Sequence, residues 1–425
     1  MKRYEKYKPT DIQWLPEIPE HWAVQRFGSL FKLKTATNDT SKELLSVFLD
    51  RGVIKASESD KRTHQASEDL SKYQLVVPTD FVMNNQQAWR GSVGVSSFIG
   101  IISPAYHIFP MPNCYNSHYA NYLLRDRIMV NLYEVSSKGV GSIQRTLNFN
   151  WLNNGKCILP SIDEQNKIVA YLDKIITLIE NCKCQREREL QTLNELKQAE
   201  IASVVTRGLN PDVPMKDSGI PWIGMIPEHW NVKSLRAYLR LVSEKNHPKA
   251  TLLSVTREQG VIVRDVESKE ENHNFIPEDL SGYKYVHKGQ FVINKMKAWQ
   301  GSYGVSLYDG IVSPAYYVCD LDFPDKEYFS LAVRSKTYVD FFARWSKGIR
   351  VGQWDLEPIA LKSVPFLEPP VKEMHEIVDY VKDKTKKIDT MIEALTAEID
   401  RLSEYKLRLI SDVVTGQIDV RGEQI

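Results

Sequence analysis

The feature that most constrains this chain is that it contains the same text twice. Ile18-Pro-Glu-His-Trp22 returns as Ile226-Pro-Glu-His-Trp230, and Leu44-Leu-Ser-Val47 as Leu252-Leu-Ser-Val255, both 208 positions later. Glu68-Asp-Leu-Ser71 matches Glu278-Asp-Leu-Ser281, Gly91-Ser-Val-Gly-Val-Ser96 matches Gly301-Ser-Tyr-Gly-Val-Ser306, and Ile102-Ser-Pro-Ala-Tyr106 matches Val312-Ser-Pro-Ala-Tyr316, each 210 later. Leu193-Asn-Glu-Leu-Lys197 is answered by Leu402-Ser-Glu-Tyr-Lys406, and Val204-Val-Thr206 by Val413-Val-Thr415. So many blocks in one order and near one offset require two copies of one structural unit.

Each copy closes with a long helical stretch. Between Glu164 and Thr206 there is neither Gly nor Pro, and Ile168, Leu172, Ile175, Ile179, Cys182, Leu190, Leu193, Leu196 and Ile201 recur at helical spacing. Ser161 and Glu164 have the spacing of a capping box, while Gly208 and Pro211 end the stretch. At about 1.5 Å per residue this is a rod about 65 Å long. The second stretch, Lys372 to Thr415, opens after Pro369-Pro370 and closes at Gly416. Val381, Ile388, Leu395, Leu402 and Leu409 fall on one heptad column, with Ile377, Ile392, Ile399 and Val413 beside it. The matching column in the first copy reads Leu172, Ile179, Arg186, Leu193 and Glu200, so polar residues interrupt it. The rods are expected to pair with each other, antiparallel, as a left-handed coiled coil.

The expected fold is α+β, with an internal pseudo-two-fold repeat. Residues 1–160 form a first mixed globular domain, 161–207 a spacer helix, 208–368 a linker and second domain, 369–415 a second spacer helix, and 416–425 a tail. Asp80-Phe-Val-Met-Asn84 and Gln290-Phe-Val-Ile-Asn294 read as buried strands. The Gly-Ser-x-Gly-Val-Ser and Ser-Pro-Ala-Tyr runs read as strands paired through a tight connection. Tyr115 to Tyr133 and Asp325 to Ala343 read as helical, and 207–222, with Pro211, Pro214, Gly219 and Pro221, as an irregular linker. Tyr7-Lys-Pro-Thr-Asp-Ile-Gln-Trp14 precedes the first domain as Met215-Lys-Asp-Ser-Gly-Ile-Pro-Trp222 precedes the second.

Composition narrows the function. A net charge of +1 disfavours a protein that binds nucleic acid mainly by counterion release, so any DNA contact must use local patches or a partner. No apolar run of about 18 residues is present to span a bilayer, and Met1-Lys-Arg-Tyr-Glu-Lys6 lacks a signal-peptide apolar region. Five cysteines without framework spacing suit reduced thiols, which points to the cytoplasm. There is no G-x-G-x-x-G loop, Walker lysine loop or C-x-x-C pair, and no Asn-Pro-Pro-aromatic or Asp-Pro-Pro-aromatic methyltransferase signature. Glu267-Ser-Lys269 has the form of half a nuclease motif without its upstream partner and reads as a solvated charge run. His21 and His229 read as structural, packed on the adjoining Trp. No catalytic residue and no metal ligand set is expected.

At Ile12-Gln-Trp-Leu-Pro-Glu-Ile-Pro-Glu-His-Trp22 and Ile220-Pro-Trp-Ile-Gly-Met-Ile-Pro-Glu-His-Trp230 the chain resembles a known family. Ala88-Trp-Arg-Gly-Ser92, Ala298-Trp-Gln-Gly-Ser302, the two Ser-Pro-Ala-Tyr runs and Pro160-Ser-Ile-Asp-Glu-Gln165 complete the likeness. The family is that of the DNA specificity subunits of type I restriction-modification systems. The second helix departs from its Glu-Gln opening at Glu373-Met-His375, a change expected to leave the fold intact. The resemblance implies two target recognition domains, each reading one half of a bipartite double-stranded DNA target. It implies helices that set the spacing and dock two modification subunits. Those partners would hold S-adenosylmethionine, this chain binding no cofactor of its own, and restriction subunits would add cleavage. A tandem-domain DNA-binding regulator acting without enzyme partners is the alternative.

The repeat also selects candidate base readers, because positions that differ inside matched frames are where two domains of one fold can read different bases. Flanking Ala-Trp these are Asn85, Gln87 and Arg90 against Lys295, Lys297 and Gln300. After the Lys-Gly pairs they are Lys138, Gln144 and Arg145 against Lys347, Arg350 and Gln353. Arg and Lys suit guanine edges, Asn and Gln adenine edges.

Overall fold

The computed structural model describes residues 2–34, 39, 41–58, 69–139, 145–265, 277, 279–348 and 354–423. Gln144, Arg350, Gln353 and Glu267-Ser-Lys269 lie outside them. The chain forms two compact units, one of Met1–Arg186 with Ala397–Ile425 and one of Glu187–Thr396.

The first unit opens with an antiparallel hairpin, Tyr7–Ile12 against Leu15–Pro19, whose register brings Tyr7 opposite Pro19. Ala23–Arg26 then pairs with Lys156–Leu159, which joins the start of the domain to its end. Between them lie the hairpin Leu45–Phe48/Gly52–Lys55 and a sheet ordered Tyr106–Phe109, Phe81–Asn84, Val93–Val95. Trp22, Phe27, Phe31, Phe81, Phe109, Tyr115 and Tyr119 are all buried in its core. The second unit repeats the plan around Trp230, Phe291, Tyr303, Tyr328 and Phe329. It adds a strand, Leu239–Val242, to the edge of its sheet beside Tyr317–Leu321.

Two local expectations are corrected. Val93–Val95 does not pair with the Ser-Pro-Ala-Tyr run, which is a turn, the Tyr106 amide donating to the Ser103 carbonyl at 3.1 Å and the Tyr316 amide to the Ser313 carbonyl at 3.0 Å. Val93–Val95 joins Phe81–Asn84, and Gly100–Ile102, which leads into that turn, joins Gln74–Val76; the second unit repeats this with Tyr303–Val305 on Phe291–Ile293 and Gly310–Val312 on Lys284–Val286. The Gly-Val strand was legible but its partner was not, because alternation carries no information about the neighbour. The helical runs are each broken in two, as Ser117–Arg125 with Arg127–Val135 and Lys326–Val333 with Lys336–Trp345. Asp126 ends one helix and caps the next by accepting from the Ile128 amide.

The rods are continuous helices, Ile162–Arg207 and Val371–Val414. Each ends on a left-handed glycine, Gly208 at φ 74° and Gly416 at φ 75°, a backbone that a side chain would strain. They run antiparallel. In the first unit Glu180 meets Lys406 (2.7 Å) and Arg186 meets Glu398 (3.1 Å). In the second, Lys197 meets Asp389 (2.5 Å) and Glu200 accepts from Tyr380 (2.6 Å). The polar interruptions Arg186 and Glu200 are thus cross-links between the rods. Of the seam residues, Leu172, Ile179, Val381, Ile388 and Leu409 are buried, while Leu193, Leu395 and Leu402 are half-buried. Among the described residues no helix is long and apolar enough to cross a membrane.

The rod openings hold the Pro-Glu-His-Trp motifs. Ser161 Oγ accepts from the Glu164 amide (3.3 Å), as a capping box requires. The Glu164 carboxylate, however, turns to the Tyr4 hydroxyl (2.6 Å) and His21 Nε2 (2.9 Å). Glu373 likewise takes His229 Nε2 (2.7 Å) and the Trp230 indole N–H (3.0 Å). Each histidine thus bonds the first-turn glutamate of a rod, and while His229 lies against the adjoining Trp230 (6.5 Å), the ring beside His21 is that of Tyr4 (5.7 Å) and not the expected Trp22. Gln165 is fully buried and its amide bonds Asn116 N, Cys114 O and Pro160 O. Met374 replaces it by filling the second core, so the departure from Glu-Gln leaves the fold unchanged.

Candidate nucleic-acid interface

In the first unit the chain leaves the buried strand Phe81–Asn84 and must reverse within a few residues to enter Val93–Val95. Asn84 Oδ1 accepts from the Gln86 amide (3.0 Å), Ala88 is buried as the anchor, and Gly91 closes the turn at φ 97°. These constraints leave Trp89 half-buried and Arg90 exposed. The indole N–H of Trp89 donates to the Gln86 carbonyl (3.0 Å). The Arg145 guanidinium lies 4.5 Å and that of Arg90 5.7 Å from the Trp89 ring centre. Arg145 is also held by Glu134 at 3.3 Å. Asn85 Oδ1 accepts from the Leu147 amide (3.3 Å), which ties this turn to the ribbon Ser137–Lys138/Thr146–Leu147. Lys138 on that ribbon sits 4.4 Å from the Trp151 ring centre. Asn85, Gln87, Arg90, Lys138 and Arg145 thus belong to one region, in which indole faces orient the cations.

The second unit builds the same turn with different chemistry. Ala298 is again the buried anchor and Gly301 closes at φ 90°. Trp299 packs on Trp354, ring centres 4.9 Å apart, in place of a guanidinium. The Lys295 ammonium binds Asp355 at 2.7 Å, and that carboxylate raises its pKa. Asp355 in turn exchanges both backbone hydrogen bonds with Lys347 (3.0 and 2.9 Å). Lys297 and Met296 are exposed and Gln300 is half-buried. The structure therefore joins Lys295 and Lys347 through Asp355 and leaves Lys297 facing outward. Among the described residues no group of three or more His, Cys, Asp or Glu side chains is placed to hold a metal ion.

Two matched arginines were not singled out in the sequence. Arg125 donates to the carbonyls of Leu49 and Asp50, and Arg334 to those of Arg257 and Glu258. The signal was available, because each arginine ends the first helix of its pair, in Leu123-Leu-Arg125 and Ala332-Val-Arg334.

No family model matches the chain. Over 98% of its length it is 22% identical to a putative type I restriction enzyme MjaX specificity subunit of Methanocaldococcus jannaschii, and the match covers 97% of that protein. It is 19% identical to the type I restriction enzyme EcoDI specificity subunit of Escherichia coli, over 95% of this chain and 90% of that one. A solved chain from a study of complex assembly and conformational transition of the type I R-M system matches with a TM-score of 0.64 at 13% identity, covering 94% of this chain and 99% of its own. The resemblance carried by the repeated motifs therefore runs the whole length of the chain, and the fold is shared.

Proposed function

We infer that this chain is the DNA sequence-specificity subunit of a type I restriction-modification system. The observation that carries the reading is the end-to-end match to specificity subunits, both halves and both rods included. The duplicated turn supports it: one scaffold presents Arg145 on Trp89 in one unit and Trp354 on Trp299 in the other. A reader of two unlike half-sites needs that combination of fixed frame and changed side chains. Each unit reads one half of a bipartite double-stranded target, with Asn85, Gln87, Arg90, Lys138, Gln144 and Arg145 as candidates in the first. Lys297, Gln300, Lys347, Arg350 and Gln353 are candidates in the second, with Lys295 positioning Lys347 through Asp355.

The antiparallel rods set the spacing between half-sites and dock two modification subunits. The chain itself is non-catalytic and works in the cytoplasm. S-adenosylmethionine and methyl transfer belong to the modification subunits, and cleavage to restriction subunits. Co-expression with and without candidate modification subunits, followed by mapping of DNA methylation, tests this. The expected result is methylation of one bipartite sequence only when both are present. Tight, sequence-specific binding by the chain alone, with no assembly, would instead favour an independent DNA-binding regulator.

A further inference from the structure

One more pair of matched frames lies outside the candidate interface. Leu44-Leu-Ser-Val47 and Gly52-Val-Ile54 enclose Phe48-Leu-Asp-Arg51, while the identical flanks Leu252-Leu-Ser-Val255 and Gly260-Val-Ile262 enclose Thr256-Arg-Glu-Gln259. Seven flanking residues are the same and all four enclosed residues differ. In both units the first of the four, Phe48 or Thr256, ends one strand of an antiparallel hairpin and the other three form its turn.

Each turn is gripped in the same way. Arg125 Nη2 donates to the Leu49 and Asp50 carbonyls at 3.1 and 2.7 Å, and Arg334 Nη2 to the Arg257 and Glu258 carbonyls at 3.1 and 2.5 Å. Burial works against the charge of both guanidiniums, a cost that both copies bear. The bonds go to backbone carbonyls, so they fix the turn whatever side chains it carries. Leu49, Asp50 and Arg51 are exposed, as are Arg257, Glu258 and Gln259. The hairpin is also fastened to the strand that leaves the Trp89 turn. Ser92 Oγ donates to the Val47 carbonyl at 3.0 Å, and a Cβ on Gly94 would lie 3.1 Å from the Gly52 Cα. Gly304 meets Gly260 in the same way at 3.3 Å.

We propose that these two turns are a second specificity-determining element, with Arg51 contacting a base of one half-site and Gln259 a base of the other. The proposal rests on the specificity-subunit reading above. DNA is favoured over a protein partner because two copies of one partner would meet like residues in both units, whereas unlike half-sites call for unlike residues. Arg51 lies over the Phe48 ring (5.2 Å) and 3.8 Å from Asp50, which orients its fork. The Gln259 amide donates to Thr256 Oγ1 (3.1 Å), which orders the backbone under its side chain.

The test uses the full chain assembled with its modification subunits. The target is read first from methylation by the unaltered complex, and absence of any bipartite target would reject the specificity-subunit reading itself. Arg51→Ala and Gln259→Ala are then compared on single-base variants of each half-site at two salt concentrations. Arg51→Ala relaxes one base position of one half-site about tenfold or more, and Gln259→Ala does so in the other half-site only. Unchanged discrimination, uniform weakening on all sequences, or loss of assembly with intact discrimination would each overturn the proposal, the last by assigning the turns to the modification subunits.

Discussion

Thr79 holds φ at 74° in the first unit where Gly289 holds 87° in the second, and both amides donate to a serine carbonyl, Ser96 or Ser306, at 2.7 Å. The two turns have the same shape, and only one has the residue that shape favours.

A β-branched residue in the left-handed region costs about 1–2 kcal/mol, partly offset by the flexibility that glycine restores to the unfolded chain. Thr79 is exposed, so its removal loses no packing. Thr79→Gly is expected to stabilise the first unit by about 1 kcal/mol. Gly289→Thr should destabilise the second by a similar amount, since φ 87° puts a β-branched residue in the left-handed region. Urea unfolding of the two variants measures both signs.

Tyr4 and Glu164 are both buried, and their 2.6 Å hydrogen bond fastens the N-terminal arm to the first turn of a rod. Burial first, and then the Glu164 contact, push the Tyr4 hydroxyl well above its ordinary pKa, so it stays a donor. Tyr4→Phe leaves a buried carboxylate with one partner fewer and is expected to cost about 2 kcal/mol. Hydrogen exchange at the start of the first rod should rise in that variant. Unchanged protection there would show that His21 alone suffices.

What could be read in advance was local or repeated. The rods announce themselves through period, capping residues and glycine stops, all within a few residues of each other. Arg186 and Glu200 looked like faults in a seam because their partners, Glu398 and Tyr380, are far away in sequence. Lys295 looked equivalent to Lys297 for the same reason, since only the fold brings Asp355 to it. The partner of Val93–Val95 was hidden too, as pairing is a property of the folded sheet, and the Ser-Pro-Ala-Tyr run proved a turn.

The rods are not equally sealed along their length. Leu409 is 2% exposed, whereas Leu395 is half-buried. A charge at Leu409 would be enclosed without a partner, so Leu409→Asp should cost about 3 kcal/mol or more. Leu395→Asp can keep its carboxylate in water and should cost about half that or less. Thermal melts that rank the two the other way would place the tight part of the seam elsewhere.

The contrast between Lys295 and Lys297 separates positioning from reading. The Lys295–Asp355 pair is only partly enclosed, so Lys295→Ala should change stability by under about 1 kcal/mol. Lys297→Ala should leave stability alone and relax one base of one half-site about tenfold or more. A uniform loss across all sequences, with a flatter salt dependence, would make Lys297 a phosphate contact instead.

His107 gives the first unit a pH dependence whose sign follows from its surroundings. Its ring meets Phe149 edge-on at 4.6 Å, and its Nε2 is enclosed with no hydrogen-bond partner among the described residues. Burial lowers its pKa below the ordinary 6.5, so the unfolded chain takes up the proton before the folded one does. Stability contributed by neutral His107 is therefore complete above about pH 6.5 and is lost as pH falls from there through the folded value. The matched position in the second unit is Tyr317, an aromatic residue that carries no charge in this range. His107→Phe should keep the ring contact and flatten the loss below about pH 6.5. Hydrogen exchange at Val82 and Ile108, on the paired strands around His107, reads the effect locally. The wild-type chain should lose protection there on acidification beyond the intrinsic change in exchange rate, and His107→Phe should not. Equal losses in both would assign the acid sensitivity to another group.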